Sequence, residues 1–352
     1  MTQQDTIVRV PRAVAEEHLS QLFQLAGAVP DIARITARTL VEAELEGNAS
    51  HGLLQAPIYL RRLRAGTISG TARLREVHRN GGISVHDAGL ALGHPAAEQL
   101  AALVARDAIE HGMAAAAVRS GLHFGIAGRY ARMMAEKGVA GMVMCNTRAM
   151  MPPPGGRKAV VGNNPLAIAV PCSGQAPIVF DMAMSAAAMG RIRQAAQAGN
   201  PIPQGWAADA DGHDTTDAQA ALDGFLLPAA GAKGFGLALM VDLLCALSGG
   251  AAGTELGPLH GSPDVKADCS WLFLALDPGR FGLDAPFAER VAGLAGVVRA
   301  AAPDAALALP GDRKRAAFAA SQDMIGLAPN VAASLDAVAR ELGGNPLPRG
   351  LE

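Results

Sequence analysis

The segment 166–185, LAIAVPCSGQAPIVFDMAMS, contains two short apolar runs with a turn between them. The runs LAIAV and IVF carry no charged side chain, which is typical of strands in a sheet that is covered on both faces. The segment therefore predicts two sheet strands. Asp181 and Ser185 follow the second strand, and turns at strand ends are where open-sheet proteins place their chemistry.

The same alternation extends outward in both directions. Further strands are predicted in ISVHDAG, MAAAAVRS, VAGMVMCNT and CSWLFLALDP, with helices in HPAAEQLAALVARDAIEHG, AGRYARMMAEKG and KGFGLALMVDLLCALSGG. Residues 1–75 and the tail from 284 to 343 predict helices, with a turn-rich segment at ALALPGDRKR. Pro57 should kink or restart the third helix, HGLLQAPIYLRRLRAG. An α/β or α+β domain inserted into a helical one is expected.

Composition excludes several classes of function. Only 18% of residues are charged, against about 25% in an average globular chain. The net charge of −2 and the lack of a basic block argue against a nucleic-acid partner. The longest apolar stretch contains Asp242 and is short for a membrane span of about 20 residues. We expect a soluble cytoplasmic protein with no membrane partner.

The four cysteines and nine histidines do not form a metal motif. No CxxC pair or HExxH sequence is present, so we expect reduced core thiols and no metal site.

A dinucleotide fingerprint of the GxGxxG type is also missing, as are a P-loop and a GxSxG elbow. The glycines of GAKGFGLAL have the wrong spacing, which disfavours a Rossmann cofactor site. What remains is a set of polar residues in turns between apolar strands. For each of them a structural role, such as a helix cap or a hydrogen-bonded turn residue, is an open alternative. These residues are His51, His123, Asn163, Asn164, Asp181, Ser185 and Lys233.

In combination, these stretches resemble the malate/L-lactate dehydrogenase type 2 family, which includes sulfolactate, ureidoglycolate and diketogulonate dehydrogenases and cyclic imine-2-carboxylate reductases. The similarity runs in order over nearly the whole chain. The matching stretches are SHG at 50–52, HFGIAGRYA at 123–131, CNTRAMMPPPGG at 145–156, GNNPLAIAVP at 162–171, FDMAMS at 180–185, IPQGWAADADGHDTTD at 202–217 and GAKGFGLALMVDLLCALSGG at 231–250.

The resemblance implies a non-Rossmann α/β (α+β) fold. A mixed-sheet domain that binds NAD or NADP, with NADPH favoured, is combined with a helical domain built from the N- and C-terminal segments. Residues 1–75 would form the first part of the helical domain, residues 76–234 the cofactor domain, and residues 235–352 would complete both. A homodimer is implied as well.

The resemblance also implies roles for individual residues. His123 matches the acid/base histidine, His51 a second candidate for that role, and Asp181 a group that orients a histidine or meets the cofactor. An imidazole with an ordinary pKa of about 6.5 suits proton transfer near neutrality. Substrate contacts are expected from Ser50, Gln55 and Tyr59. Cofactor contacts are expected from Thr147, Asn164, Asp181, Met182, Ala183, Lys233, Gly234 and Arg313.

Two positions depart from the family pattern. The family usually has SHGxxR, whose arginine pairs with the substrate carboxylate, but Gln55 stands there in this chain. Glutamine cannot supply a charged fork. Either Arg61 or Arg191 takes over, or the substrate lacks the usual carboxylate. Met184 in FDMAMS replaces the usual threonine.

The expected activity is hydride transfer between NAD(P)H and a 2-oxo acid/2-hydroxy acid pair. Reduction of a cyclic ketimine-2-carboxylate, such as a piperideine or pyrroline carboxylate, is the first alternative. The second is a cofactor-binding protein without catalysis.

Overall fold

Strands and helices alternate in the middle of the chain, in a computed structural model that describes residues 7–303 and 309–348. The described strands are β1 (Val8–Pro11), β2 (Arg75–Asn80), β3 (Ile83–Asp87), β4 (Met113–Gly121), β5 (Ala140–Cys145), β6 (Leu166–Val170), β7 (Ile178–Met182), β8 (Ala207–Ala208), β9 (Asp214–Thr215), β10 (Phe225–Leu226), β11 (Cys269–Leu276) and β12 (Met324–Leu327). The described helices are α1 (Arg12–Leu25), α2 (Pro30–Leu45), α3 (Ala56–Arg64), α4 (Gly93–His111), α5 (Ala127–Ala135), α6 (Met189–Gln197), α7 (Ala218–Asp223), α8 (Ala232–Cys245), α9 (Phe287–Ala301), α10 (Asp312–Ala320) and α11 (Pro329–Glu341).

Seven strands form one mixed sheet, in the order β2-β3-β4-β11-β5-β6-β7. β4 and β5 both run antiparallel to β11, and β7 is antiparallel to β6, which is antiparallel to β5. β3 is parallel to β4. The carboxyl ends of β3, β4, β5 and β7 therefore lie at the same edge of the sheet, which we call the carboxyl edge.

β11 is the central strand, and its side chains alternate between two apolar layers. Trp271 and Phe273 are buried in a cluster with residues of α4 and α5 on one face. Leu272 packs on the other face against Val241 and Cys245 of α8. A strand that is covered on both faces must be apolar throughout, which explains the composition of CSWLFLALDP.

Helices from the N-terminal and C-terminal segments pack together in one layer. Buried residues of α1, α2, α3 and α11 form a single cluster, in which Leu19, Leu40, Leu60 and Leu335 are fully buried. β1 and β12 pair antiparallel, from Val8 with Leu327 to Pro11 with Met324.

Most predicted elements are confirmed, and three details are corrected. Residues 324–327 are a strand and not part of a helical tail, and residues 8–11 are a strand rather than a helix. Each is a short strand whose only described partner is the other, so neither has a local signal. In the third predicted helix, 3₁₀ turns at 49–51 and 53–55 precede α3, which begins at Ala56 with Pro57 in its first turn. The turn-rich segment at 306–315 lies partly outside the described residues.

Glu44 stabilises the turn that carries Ser50 and His51. The Glu44 carboxylate accepts a hydrogen bond of 2.8 Å from the backbone amide of Leu53. It lies so close to Gly52 that a Cβ there would collide with it. Burial raises the pKa of Glu44 to about 7, against the smaller opposing effect of the Leu53 hydrogen bond.

Glu44→Gln should therefore stabilise the protein at alkaline pH. Because the pKa of Glu44 is raised in the folded state, the folded chain holds a proton that the unfolded chain releases. The free energy of unfolding then falls as the pH rises from about 4.5 through about 7. Glutamine stays neutral and keeps an oxygen to accept from Leu53. Its Tm should exceed that of wild type by at least about 2 °C at pH 8 and match it near pH 4.

Thermal unfolding followed by circular dichroism over this pH range measures the difference. Glu289→Gln on α9 is the control, because Glu289 is exposed and should give a Tm difference that does not change with pH. A pH-independent difference for Glu44→Gln would show that the pKa of Glu44 is the same in the folded and unfolded chains.

Candidate active site at the carboxyl edge of the sheet

Three of the sequence-predicted site residues lie at the carboxyl edge because of strand direction. His123 follows the end of β4, Thr147 follows the end of β5, and Asp181 lies at the end of β7. The helical layer adds His51 and Tyr59 from the turn before α3 and from α3 itself. The site therefore lies where the helical layer meets the sheet.

Tyr59 and His123 form the closest polar contact of the site. The Tyr59 hydroxyl lies 2.5 Å from Nδ1 of His123, and Tyr59 is fully buried. Burial raises the pKa of Tyr59 well above its usual value, so the hydroxyl keeps its proton and can either donate to Nδ1 or accept from it, according to the tautomer of the ring. This hydrogen bond fixes the ring, and in the tautomer that donates from Nδ1 to the tyrosine oxygen, Nε2 has a free lone pair that can accept a proton.

His51 stacks on His123, with ring centroids 5.5 Å apart and an interplanar angle of 26°. Oγ of Ser50 lies 2.9 Å from Nδ1 of His51. Burial lowers the pKa of His123 well below 6.5, and the neighbouring His51 and His94 lower it further. Burial likewise lowers the pKa of His51, while Asp181 opposes the shift. Both rings are therefore neutral near pH 7 in the free protein.

His94 is a site residue that the sequence did not single out. It is fully buried, its ring meets Tyr59 edge to face at 5.4 Å, and neither ring nitrogen has a hydrogen-bond partner within the described ranges. Burial, together with the charge of Arg129, lowers its pKa to about 3. A histidine inside a helical pattern, in ALGHPAAEQL, carries no local signal of this surrounding.

Asp181 is held by a lysine. Nζ of Lys314, in α10, donates to a carboxylate oxygen of Asp181 at 2.6 Å, and this pair is close enough to His51 to act on its pKa. The sequence pointed to the neighbouring Arg313, which is exposed and has no ion-pair partner among the described residues. Met182 and Ala183 follow Asp181 as half-buried residues.

Asn164 positions Thr147 and α8. Its Oδ1 accepts from the backbone amide of Thr147 at 2.8 Å, and its Nδ2 donates to the carbonyl of Ala238 at 2.9 Å. Oγ1 of Thr147 also donates to Asn163 at 2.9 Å. Asn164 is fully buried, so its amide is committed to these contacts.

The beginning of α8 has the features of an anion-binding site. Its first turn has no side-chain cap, and a Cβ built on Gly231, whose φ is 62°, meets nothing within 4 Å. Lys233 is exposed and has no acidic partner in the described part of the chain. Gly234 is pressed against the carbonyl of Ala229, which leaves no room for a Cβ. These residues fit the pyrophosphate of a dinucleotide, because an uncapped helix N-terminus with a lysine in its first turn attracts an anion.

Backbone hydrogen bonds join this turn to the carboxyl edge. The amide of Ala229 donates to the carbonyl of Met184 at 2.9 Å, and the amide of Met184 donates to the carbonyl of Asn163 at 2.8 Å. These bonds connect the turn before α8 to Met184, which follows β7, and to Asn163, which accepts from Thr147.

The amide nitrogen of Gln55 is committed to a contact within its own turn. Nε2 donates to the carbonyl of Ser50 at 2.7 Å, which fixes the orientation of the side chain, and the buried Oε1 has no hydrogen-bond partner within residues 7–303 and 309–348. Arg61 forms an exposed ion pair of 3.2 Å with Glu341. Arg191 is exposed on α6.

A group that could hold a metal ion lies away from these residues. Asp209, Asp211 and His213 have potential ligand atoms within 4.8 Å of one another. Asp211 and His213 are exposed, and an oxygen of Asp209 already accepts from the backbone amides of both. We assign no metal to this turn, and the absence of a metal site stays a prediction.

Comparisons with known proteins agree on one family. Residues 10–336 match the family described as malate/L-lactate dehydrogenase. The chain belongs to the malate/L-lactate dehydrogenase family. As a member, it is an NAD(P)-dependent oxidoreductase that transfers hydride between the nicotinamide and a 2-oxo acid/2-hydroxy acid type of substrate, which confirms the sequence-based expectation.

Individual relatives of this dehydrogenase carry several names. The chain is 39% identical over 250 residues, covering 71% of it and 75% of the relative, to a (2R)-3-sulfolactate dehydrogenase (NADP(+)) of Chromohalobacter salexigens. It is 36% identical over 278 residues, covering 78% and 81% of the two chains, to a Delta(1)-pyrroline-2-carboxylate/Delta(1)-piperideine-2-carboxylate reductase of Pseudomonas putida. The solved sulfolactate dehydrogenase of Methanocaldococcus jannaschii superposes with a TM-score of 0.89 at 30% identity, over 97% of this chain and 98% of that one.

The solved structure confirms the fold class of this dehydrogenase, a non-Rossmann mixed α/β fold. None of the described helices is long and apolar enough to cross a membrane.

Proposed function

We propose that this dehydrogenase reduces the carbonyl of a 2-oxo acid with NADPH, and oxidises the 2-hydroxy acid in the reverse direction, with His123 as the acid/base. The observation that carries the assignment is the Tyr59–His123 hydrogen bond of 2.5 Å at the carboxyl edge of the sheet. A buried tyrosine that holds Nδ1 directs Nε2 toward the ligand side. His51 stacks on this ring and does not share its hydrogen bond, and Asp181 acts on His51.

The bound cofactor supplies the hydride to the carbonyl carbon. The protein must then deliver a proton to the oxygen, so that C=O becomes CH–OH. In the oxidation direction, the neutral ring of His123 accepts the hydroxyl proton. Tyr59 can donate to Nδ1 or accept from it, so it can accompany both protonation states.

Reduction of a cyclic ketimine-2-carboxylate is the second candidate, and the 36% identity to the Pseudomonas putida reductase favours it. The proton would then go to nitrogen, and the same histidine would serve. Both substrate classes have a carboxylate on the carbon next to the reacting bond.

For the cofactor, we propose that Lys233, Gly234 and Arg313 contact the phosphates, and that Thr147, Asp181, Met182 and Ala183 contact the nicotinamide half. Two cations without an acidic partner in the described ranges, Lys233 and Arg313, support NADPH over NADH, as does the NADP(+) in the name of the Chromohalobacter salexigens relative. Asn164 would act through Thr147 rather than by direct contact. Ser50, Gln55 and Tyr59 would line the substrate side.

His123→Ala tests the proposed function. We expect kcat/KM for the best substrate among pyruvate, oxaloacetate, sulfopyruvate and piperideine-2-carboxylate to fall by at least ~100-fold, with little change in cofactor affinity. The rate is followed by NADPH absorbance. His78→Ala, which changes an exposed histidine of β2, is the matched control. Near-normal turnover in His123→Ala with a large loss in His51→Ala would transfer the acid/base role to His51.

Lys233→Ala tests the cofactor site. A lost hydrogen bond to a charged phosphate should weaken NADPH binding by about 1.5–3 kcal/mol, measured by calorimetric titration or as the KM for NADPH. Lys137→Ala, at an exposed lysine after α5, should leave it unchanged. Equal NADPH affinity in Lys233→Ala and wild type would show that Lys233 faces only solvent.

We also propose that the chain is a homodimer. The outer face of α8, with the 3₁₀ turn that follows it at 246–248, carries six exposed large apolar side chains, which would be covered by a second copy. They are Leu237, Leu239, Met240, Leu243, Leu244 and Leu247. Light scattering should give a molar mass of twice 35.9 kDa, and a monomer mass would contradict the proposal.

A cytoplasmic location is the last part of the proposal. All four cysteines are free, which supports a reducing compartment, and cell fractionation tests it.

A further inference from the structure

Arg148 and Arg193 lie on two segments that pack against each other beside the turn that carries Ser50 and His51. Ile192 of α6 and Met151 share one buried apolar cluster, which joins α6 to the segment after β5. A Cβ built on Gly190, in the first turn of α6, would lie 3.6 Å from Cβ of Ser50. Arg193 directly follows Ile192, and Arg148 directly follows Thr147. The backbone positions of both arginines therefore lie next to site residues.

Neither arginine has an acidic partner in the described part of the chain. Instead, Arg193 acts on Arg148, and both act on His260, which is close enough to His123 to lower the pKa of that ring. Desolvation, and then the positive charge of Arg193, lower the pKa of Arg148. The pKa of His260 is lowered to about 4 by desolvation and by the charges of Arg193 and Arg148, with smaller effects from Arg62 and His51.

This arrangement is unfavourable without a ligand. Arg148 is exposed and Arg193 is half-buried. Two like charges that are close together repel each other, and an anion placed between them removes that repulsion. A carboxylate has two oxygens that can each accept from a guanidinium fork, so one carboxylate can satisfy both side chains.

The other candidates for an anion-binding base are already committed or lie elsewhere. Arg61 pairs with Glu341. Arg62 is fully buried and donates to the carbonyls of Pro258, Leu259, Ser262 and Val265. Gln55 donates to Ser50 and brings no charge.

We propose that Arg148 and Arg193 bind the carboxylate of the substrate in place of the arginine that position 55 lacks. The inference rests on the proposed function and adds its specificity: acids are bound through their charge, and esters or amides of the same acids bind poorly. Simple 2-oxo acids therefore remain substrates despite Gln55.

A binding experiment tests the inference without turnover. Oxamate, a small carboxylate, is titrated calorimetrically into the complex of the enzyme with NADPH. Arg148→Gln and Arg193→Gln should each weaken oxamate binding by at least ~10-fold, about 1.4 kcal/mol. Arg148→Lys should lose less, because it keeps the charge but not the fork. Arg34→Gln, at an exposed arginine of α2, should match wild type. Unchanged binding in both glutamine variants, or no oxamate binding by wild type, overturns the inference.

A kinetic experiment separates this inference from the proposed function. kcat/KM is measured for pyruvate and for methyl pyruvate in wild type, Arg148→Gln, Arg193→Gln and Arg191→Gln. The loss should be at least ~10-fold for pyruvate, mostly in KM, and under ~2-fold for the ester. Equal losses for both compounds, or a loss only in Arg191→Gln, overturn the assignment. If wild type binds oxamate through the pair but reduces no 2-oxo acid or ketimine, the proposed function fails and the anion site stands.

Discussion

The insertion of β11 between β4 and β5 is the constraint on which the rest of the molecule depends. β4 and β5 are separated by a single helix along the chain, yet a strand from far along the chain lies between them and is antiparallel to both. That geometry makes β4 and β5 parallel to each other. Their carboxyl ends therefore meet at one edge, and β7 adds its own end there. His123, Thr147 and Asp181 are neighbours for this reason and not because of their spacing in the sequence.

Burial decides the chemistry of that edge. His51, His94 and His123 all lose the solvation that a charged ring needs, so their pKa values fall and the rings are neutral before a ligand arrives. Tyr59 keeps its proton for the same reason. A neutral histidine held at Nδ1 is ready to accept a proton from an alcohol. An incoming carboxylate would stabilise the protonated ring that reduction requires.

The proposed anion site of Arg148 and Arg193 would compensate for an arginine that most family members have. Gln55 has its amide nitrogen bound to its own turn, so the position that usually holds an arginine contributes no charge. Arg148 and Arg193 come from segments that the sequence marks only as a loop after a strand and as an unassigned stretch before PIPQGW. α6 was not predicted from the sequence, although Met189, Ile192 and Ala196 are spaced as one apolar face of a helix.

The sequence alone predicted the strands β3 to β7 and β11, most of whose residues are apolar because the sheet is covered on both faces, and the residues in turns that could carry chemistry. It also carried the family, through long motifs such as GNNPLAIAVP. Tertiary structure alone decided which turns meet. No local pattern encodes a pairing between residues that are far apart in the chain. Three examples are the β1–β12 strand pair, the Lys314–Asp181 ion pair and the electrostatic effect of Arg193 on Arg148. Short-range propensity depends on the backbone of a few residues, whereas a pKa, an ion pair or an anion site depends on what the fold places within a few ångströms.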